Sequence, residues 1–466
     1  MFALFLLHFI NLCLILFMII FEHKKLYRIA LWLLVFTLLP VLGFLIYLLI
    51  GVGVIRKNNK LKKTYNFNLN FRNNIKQNYK NLRGKYNEIQ KFNLINNNSL
   101  VLTNEKVEVF TNGIETFESI KKDIINAKHS IYILSYIFAS DSIGNEIKKL
   151  LKQKAKKGVD VIIIYDSFGS KKTKRSFFKD LKDKNIKVLE FFPPLLKLRF
   201  LQLSINYRNH RKIIIIDNLI AYTGGLNIRD DHLGKDKNLN PWRDTHIKII
   251  GESVLELLRT FILDLKLCTK KINFKVKNIP LIKNGKIIAQ VLNSSPLISS
   301  PKIEENLFKL INSAKKEIII QTPYLILNDK ILMALKSALL SNKKVIILLP
   351  GKADKQVVYN ASIFYAKSLL EFGAKVYCYN GFLHSKCMLI DREIFMVGSS
   401  NFDMRSFSLN FETSMVFYNK VLSESYYKII CQDIVKSREY TLNDYKKLPT
   451  INKLAISFCK LFSPLL

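Results

Sequence analysis

The chain has 466 residues, which leaves room for two or three domains with sizeable cores at about 100–200 residues each. With 49% hydrophobic and 23% charged residues it is neither wholly disordered nor collagen-like, and six cysteines without a CxxC pair exclude a disulfide scaffold and a thiolate zinc site. A formal charge of +37 favours anionic partners such as lipid headgroups, nucleic acid or phosphorylated substrates, although Lys is spread along the whole chain and marks no single patch.

Residues 3–21 and 29–55 carry no Asp, Glu, Lys or Arg. A helix needs about 20 apolar residues to cross a bilayer core, so both read as transmembrane helices, the second bent at Pro40 and Gly43. A cleaved signal peptide is the weaker reading of the first, which lacks a basic n-region and a small-residue cleavage site. Lys24, Lys25 and Arg28 lie between the spans, and Arg56, Lys57, Lys60, Lys62 and Lys63 follow the second. The heavier basic cluster places the large domain on the cytoplasmic side. Residues 1–55 thus form a two-helix membrane anchor, and 56–100 a basic Asn/Lys-rich linker with Glu88 as its single acid.

Past residue 100 the chain reads α/β twice. In the first half, 117–129 is helical, 130–138 a strand, 143–157 a helix stopped by Gly158, and 159–165 a buried strand. In the second, 303–316 is helical, 317–325 a strand, 330–340 a helix and 344–349 a strand. The duplication also shows in Asn126-Ala127-Lys128-His129 against Ser313-Ala314-Lys315-Lys316. The alternation predicts a mainly parallel or mixed sheet flanked by helices in each half, with boundaries at 101–285 and 286–446. In 447–466, Ile451, Leu454, Ala455, Phe458, Leu461 and Phe462 recur at helical spacing, an amphipathic segment suited to an interface or to packing on the domain.

The chemistry lies in the repeat. His210, Lys212, Asp217, Gly224, Gly225 and Asn227 match His384, Lys386, Asp391, Gly398, Ser399 and Asn401 at every spacing. One His-x-Lys carries no information; two copies in register carry a great deal. Each His and Lys, two residues apart, share a face of a strand, whereas each Asp falls on the opposite parity. Asp217 and Asp391 are therefore expected to orient or pair structurally. Two lysines can neutralise a phosphodiester, while one imidazole attacks phosphorus and the other protonates the leaving oxygen. Asp244 and Glu412, each about 30 residues after a motif histidine, are placed to fix the imidazole tautomers. A lysine beside each histidine argues against a metal ion, and no nucleotide-binding glycine loop is present. His129 and His246 read as structural.

The doubled His-x-Lys-x4-Asp pattern resembles the phospholipase D superfamily, and more closely its bacterial cardiolipin synthases of the two-span type. The stretches that carry the likeness are residues 39–44, 207–212, 241–246, 398–407 and 463–466. The resemblance implies two α/β/α halves, an active site at their seam, and a covalent phosphohistidine, with His210 the nucleophile by analogy. It implies a catalytic set of His210, Lys212, Asp217, His384, Lys386 and Asp391. Phosphate would be held by the lysines with Asn227, Ser399 and Asn401, and the histidines oriented by Asp244 and Glu412. The implied reaction takes two phosphatidylglycerol molecules to cardiolipin and glycerol at a bacterial cytoplasmic membrane, without metal or cofactor and without nucleic acid. An apolar loop with cations, 191–201, suits a lip at the membrane or a buried loop of the domain. A phospholipase D-type phosphodiesterase acting on phospholipid or nucleic acid is the alternative enzyme; a non-catalytic binder of anionic lipid is the alternative outside catalysis.

Overall fold

The computed structural model describes residues 2–21, 26–40, 42, 43, 47, 84–192, 207–269, 285–297 and 301–463. The chain divides into two compact units, residues 1–67 with 194–206, and residues 68–193 with 207–466. In the first, α1 (Phe2–Phe21) packs on α2 (Leu26–Leu38). Trp32, Phe36 and Tyr47 form a ring cluster, and the buried Asn11 side chain donates to the Phe36 carbonyl at 3.2 Å. α2 ends just ahead of Pro40, where the residue before proline is pushed away from helical geometry. Among the described residues no helix is long and apolar enough to cross a membrane. In the second expected span, residues 41, 44–46 and 48–55 lie outside the described residues.

The second unit opens with α3 (Asn87–Asn97), β1 (Leu102–Phe110), α4 (Gly113–Asn126), β2 (Ser130–Ser135), α5 (Ser142–Lys156), β3 (Asp160–Asp166), α6 (Arg175–Leu181) and β4 (Ile186–Phe191). Next come β5 (Arg208–Asn209), β6 (Ile213–Ile216), β7 (Ile220–Gly224), β8 (Trp242–Arg243), β9 (His246–Gly251) and α7 (Ser253–Cys268). The order returns as β10 (Ile287–Ser294), α8 (Lys302–Ser313), β11 (Glu317–Gln321), β12 (Leu325–Ile326), α9 (Asp329–Leu340), β13 (Lys344–Pro350), α10 (Gln356–Leu370) and β14 (Lys375–Tyr379). It continues with β15 (Phe382–Leu383), β16 (Cys387–Ile390), β17 (Ile394–Gly398), β18 (Phe402–Asp403), α11 (Met404–Ser408) and β19 (Asn410–Tyr418). Last are α12 (Lys420–Val435), β20 (Ser437–Tyr440), α13 (Leu442–Lys447) and α14 (Thr450–Leu461).

Among the described residues the main sheet has 16 strands. Its first half runs β1-β9-β7-β6-β2-β3-β4 and its second β10-β19-β17-β16-β11-β13-β14-β20. The halves join where β1 and β10 pair antiparallel, Leu102 opposite Ala289 and Asn104 opposite Ile287. In both halves the crossover strands pair in parallel and the hairpin strands antiparallel, so the duplicated architecture read from the sequence is present.

Residue types explain the pattern. Ile213–Ile216 and Ile318, Ile319 and Ile320 are buried β-branched runs, as strands covered on both faces require. Phe117, Ile120 and Ile124 on α4, and Ile143, Ile147 and Leu151 on α5, face the core at helical spacing. Asn112 and Asp141 cap these helices, accepting from the amides of Glu115 at 2.9 Å and Gly144 at 3.1 Å. Gly158, at φ +87°, ends α5 as expected.

One boundary needs correction. The end of the expected 56–100 linker is α3, whose Ile89 and Leu94 are buried. Asn93 donates to Gln290 Oε1 at 3.1 Å and Tyr418 Oη at 2.9 Å, so this stretch belongs to the core of the second half. In the 447–466 segment, α14 packs on α10 through Ile456 and Cys459 and leaves Ile451, Leu454, Phe458 and Leu461 exposed. Of the apolar loop 191–201, Phe191 and Phe192 pack against Phe411, and 193–201 lie outside the described residues. All six cysteines are free.

Candidate active site

Two miniature ladders set the site across the seam. β5 pairs in parallel with the start of β19, Arg208 opposite Asn410. β15 pairs in parallel with β8, Phe382 opposite Trp242. Each ladder joins the strand ahead of a motif histidine in one half to the strand that carries or leads into a carboxylate in the other, Glu412 within β19 and Asp244 just after β8. His210 N donates to the Phe411 carbonyl at 2.9 Å, and His384 N to the Arg243 carbonyl at 2.7 Å.

The carboxylates are therefore crossed. His210 Nδ1 lies 3.0 Å from Glu412 Oε1 and 3.0 Å from the Ser399 carbonyl, both in the second half. His384 Nδ1 lies 2.7 Å from Asp244 Oδ2, in the first. Sequence spacing associated each acid with the histidine of its own half; the folded chain swaps them. Nδ1 facing a carboxylate carries the proton of the neutral ring and leaves Nε2 as the lone-pair nitrogen.

Burial sets the charge states. It pushes His210 down to about 4 against the pull of Glu412, and His384 well below its usual value, with Lys386 adding to the effect. Burial opposes ionisation of Glu412 and Asp244, yet His210 and Lys212 hold the former below its usual range, and His384 and His232 the latter. At neutral pH the site holds two uncharged imidazoles on two carboxylates. Lys212 Nζ folds back onto the His210 carbonyl at 2.7 Å, and Lys386 Nζ onto the His384 carbonyl at 2.6 Å. Burial lowers Lys212 to about 7 and Lys386 to about 8, and the Lys386 ammonium lowers the proton affinity of both Lys212 and His210.

Three expectations change. Asp217 and Asp391 do not join the cluster. With Asn218 and Arg392 they form the positive-φ pairs of the β6–β7 and β16–β17 hairpin turns. Asp217 accepts from the amides of Lys128, His129 and Ser130, and Asp391 from those of Lys315, Lys316 and Glu317, at 2.7–2.9 Å. Their place in the catalytic set is corrected to that of turn anchors. Ser399 Oγ donates to Glu412 Oε2 at 2.5 Å and accepts from Thr413 N at 3.0 Å, so it supports the carboxylate instead of a phosphate. Asn227 Oδ1 accepts from Ile137 N at 3.2 Å while its Nδ2 faces His232 Nε2 at 3.2 Å, so it too is engaged within the protein. Asn401 donates to Asp403 Oδ2 at 2.9 Å, and its Oδ1 has no partner among the described residues.

Sequence reasoning missed three neighbours. The Tyr136 ring meets His210 edge-on at 4.9 Å between centroids. Arg211, between the motif His and Lys, pairs with Asp264 at 2.6 Å and reaches the second half at the carbonyls of Glu412 (3.2 Å) and Ser294 (2.8 Å). His232 is buried beside Asp244 and His384. The only signal available was its position five residues after the motif asparagine. His246 accepts from Leu226 N through Nδ1 at 3.4 Å, a packing role.

Among the described residues, the metal-capable atoms of His232, Asp244 and His384 lie within 4.8 Å of one another. Asp244 is already bonded to His384, and the positive charge of Lys386 and Lys212 acts on the trio, so a cation would enter against repulsion.

The sequence profile described as "Cardiolipin synthase, PLD-like domain" matches residues 120–251 and 307–434, one copy over each motif. The chain belongs to the cardiolipin synthase family. It is 38% identical over 450 residues to a cardiolipin synthase of Clostridium perfringens (strain SM101 / Type A), covering 93% of each chain. It is 36% identical over 457 residues to a cardiolipin synthase of Listeria monocytogenes serotype 4a (strain HCC23), again 93% of each. Among solved structures, a phosphatidylserine synthase of Haemophilus influenzae Rd KW20 covers 81% of this chain and 98% of its own, with a TM-score of 0.57. At 13% identity that likeness shows the fold alone.

Proposed function

We propose that the protein makes cardiolipin by moving a phosphatidyl group between two phosphatidylglycerol molecules. The observation that carries this reading is the crossed pair of histidine–carboxylate couples with two buried lysines at one seam, in a chain of the cardiolipin synthase family. The lysine ammonium groups take the phosphate oxygens and define the headgroup end of the site. Both imidazoles are neutral at rest. An incoming phosphodiester anion raises the proton affinity of the nearer ring, so protonation of His384 is coupled to binding.

His210 Nε2 attacks phosphorus, and the P–N bond forms as the P–O bond to glycerol breaks. His384 Nε2–H gives its proton to the departing glycerol oxygen. Glu412 stabilises the positive charge left on His210. The hydroxyl of a second phosphatidylglycerol then returns a proton to His384 Nε2 as its oxygen displaces His210, giving cardiolipin and the free enzyme. Water in that second step gives phosphatidic acid, so the acceptor site favours the lipid alcohol.

The same reading places the protein in a bacterial cytoplasmic membrane through spans 3–21 and 29–55, with the catalytic unit on the cytoplasmic side. Supporting it, α1 bears no Asp, Glu, Lys or Arg and exposes Phe9, Leu12, Leu16 and Ile20. The test is a product analysis of detergent-solubilised protein given phosphatidylglycerol alone, with chelator present. Cardiolipin and glycerol are expected. Phosphatidic acid alone means hydrolysis, and no turnover without added metal overturns the two-histidine chemistry.

A further inference from the structure

His232 has no imidazole counterpart in the duplication. It lies five residues after Asn227, and five residues after Asn401 stands Ser406. The loop that carries it is firmly held. Asp230 accepts from Ile143 N at 2.9 Å while its own amide donates to Asp141 Oδ2 at 2.7 Å, locking the loop to the start of α5. The His232 carbonyl also sits against Gly113, where a Cβ would come within 2.1 Å of it.

The ring's tautomer follows from its neighbours. Asn227 Oδ1 is taken by the Ile137 amide, so the NH2 of Asn227 points at His232 and donates to Nε2. The proton of the neutral ring is then on Nδ1. That atom is buried, has no hydrogen-bond partner among the described residues, and stands 3.6 Å from Asp244 Oδ2. A contraction of about 0.6 Å would make it a hydrogen bond. The same carboxylate oxygen accepts from His384 at 2.7 Å, and Asp244 Oδ1 accepts from Thr245 N at 2.7 Å. Packing keeps the ring in place, with the Trp242 ring at 4.3 Å and the His384 ring at 5.2 Å.

We infer that His232 is a positioning residue: its Nδ1–H faces Asp244 at 3.6 Å and on that contraction becomes a second donor, dividing the carboxylate's charge between two imidazoles and so limiting how strongly Asp244 holds a proton on His384. The other catalytic couple differs in kind. Glu412 takes its extra donors from the Ser399 hydroxyl and the Asn410 amide, neither of which titrates. The duplicated site is thereby made unequal, with a proton-sensitive neighbour on the His384 side alone. The titratable and charged groups facing this corner are Asp244, His384, His246, Lys386 and Lys212.

The inference rests on the phosphatidyl-transfer reading, and one set of variants separates the two. His232→Phe and His232→Leu remove the donor while keeping an apolar side chain against Trp242. His232→Asn keeps a donor where Nδ1 stood. Each full-length variant is assayed for cardiolipin formation from phosphatidylglycerol across pH, with its thermal transition recorded, and either folded donorless variant suffices. Expected is a fall in kcat of about tenfold in Phe and Leu, the size of one hydrogen bond to a charged group. KM should stay within about twofold, and the basic limb of kcat, where His384 must hold its proton in the substrate complex, should move to higher pH, because an unshared carboxylate holds the imidazolium more firmly. His232→Asn should restore both rate and limb. An equal loss in all three, or a loss with the limb unmoved, would show a packing role and overturn the inference. A wild-type protein that makes no cardiolipin would overturn the reading beneath it.

Discussion

At the scale of single residues, burial decides what the site can do. His210 at about 4 and the lysines at about 7 and 8 define a window. For the free enzyme, kcat/KM should fall as pH drops through about 4, where the nucleophile takes up a proton. It should fall again as pH rises through 7–8, where the phosphate-binding charges are lost. A profile measured with phosphatidylglycerol checks both limbs; an acid limb near the ordinary histidine value would contradict the buried site. The two kinds of motif acid should also separate cleanly. Glu412→Gln should lose at least about a hundredfold in kcat. Asp391→Ala, which frees three backbone amides, should cost about 2 kcal/mol of stability and leave kcat within about tenfold. Paired thermal melts and rates distinguish the two outcomes.

At the scale of elements, the two short ladders explain why neither half has a working site of its own. β5 on β19 brings Glu412 to His210, and β15 on β8 brings Asp244 to His384. Double-mutant cycles read from denaturant unfolding should therefore show coupling between His210 and Glu412 and between His384 and Asp244, and near-additivity for His210 with Asp244. Strong coupling within a half would refute the crossed arrangement. Buried arginines brace the same seam: Arg211 bonds Asp264 and two carbonyls of the second half, and Arg243 reaches Asp433 on α12 at 3.0 Å. Asp433→Ala strands a buried guanidinium and should cost about 3–5 kcal/mol, read from denaturant unfolding.

These elements show how far the sequence could be read. The duplication, the strand after each motif and the removal of the aspartates from the reacting centre followed from spacing and parity, because a strand's two-residue period is a local property. That Asp217 and Asp391 anchor hairpin turns was within reach once four buried residues were seen to separate each lysine from its aspartate. The crossing was not. Which carboxylate meets which histidine depends on how two halves face each other, and no spacing within a half contains that information. His232 escaped for the same reason: its partners, Asp244 and His384, are brought to it only by the seam.

At the scale of the whole molecule, four buried or half-buried imidazoles among the described residues are held neutral: His210, His232, His246 and His384, with His246 pushed down to about 3. Each has a folded pKa below its unfolded value near 6.5, so the unfolded chain takes up protons first. Their contribution to stability is complete above about 6.5 and is lost as pH falls toward the folded values, by up to about 1.4 kcal/mol per pH unit for each histidine. The thermal transition should therefore drop between pH 6.5 and 5, before carboxylates titrate; a flat transition over that range would contradict the buried, neutral assignment.

The central claim is that one phosphatidyl-transfer site is shared by both halves and needs both histidines. The measurement that tests it most directly is cardiolipin formation from phosphatidylglycerol by His210→Ala and His384→Ala, each shown to be folded. The account predicts that both variants lose at least about a thousandfold in rate. Near-wild-type turnover by either one would contradict it.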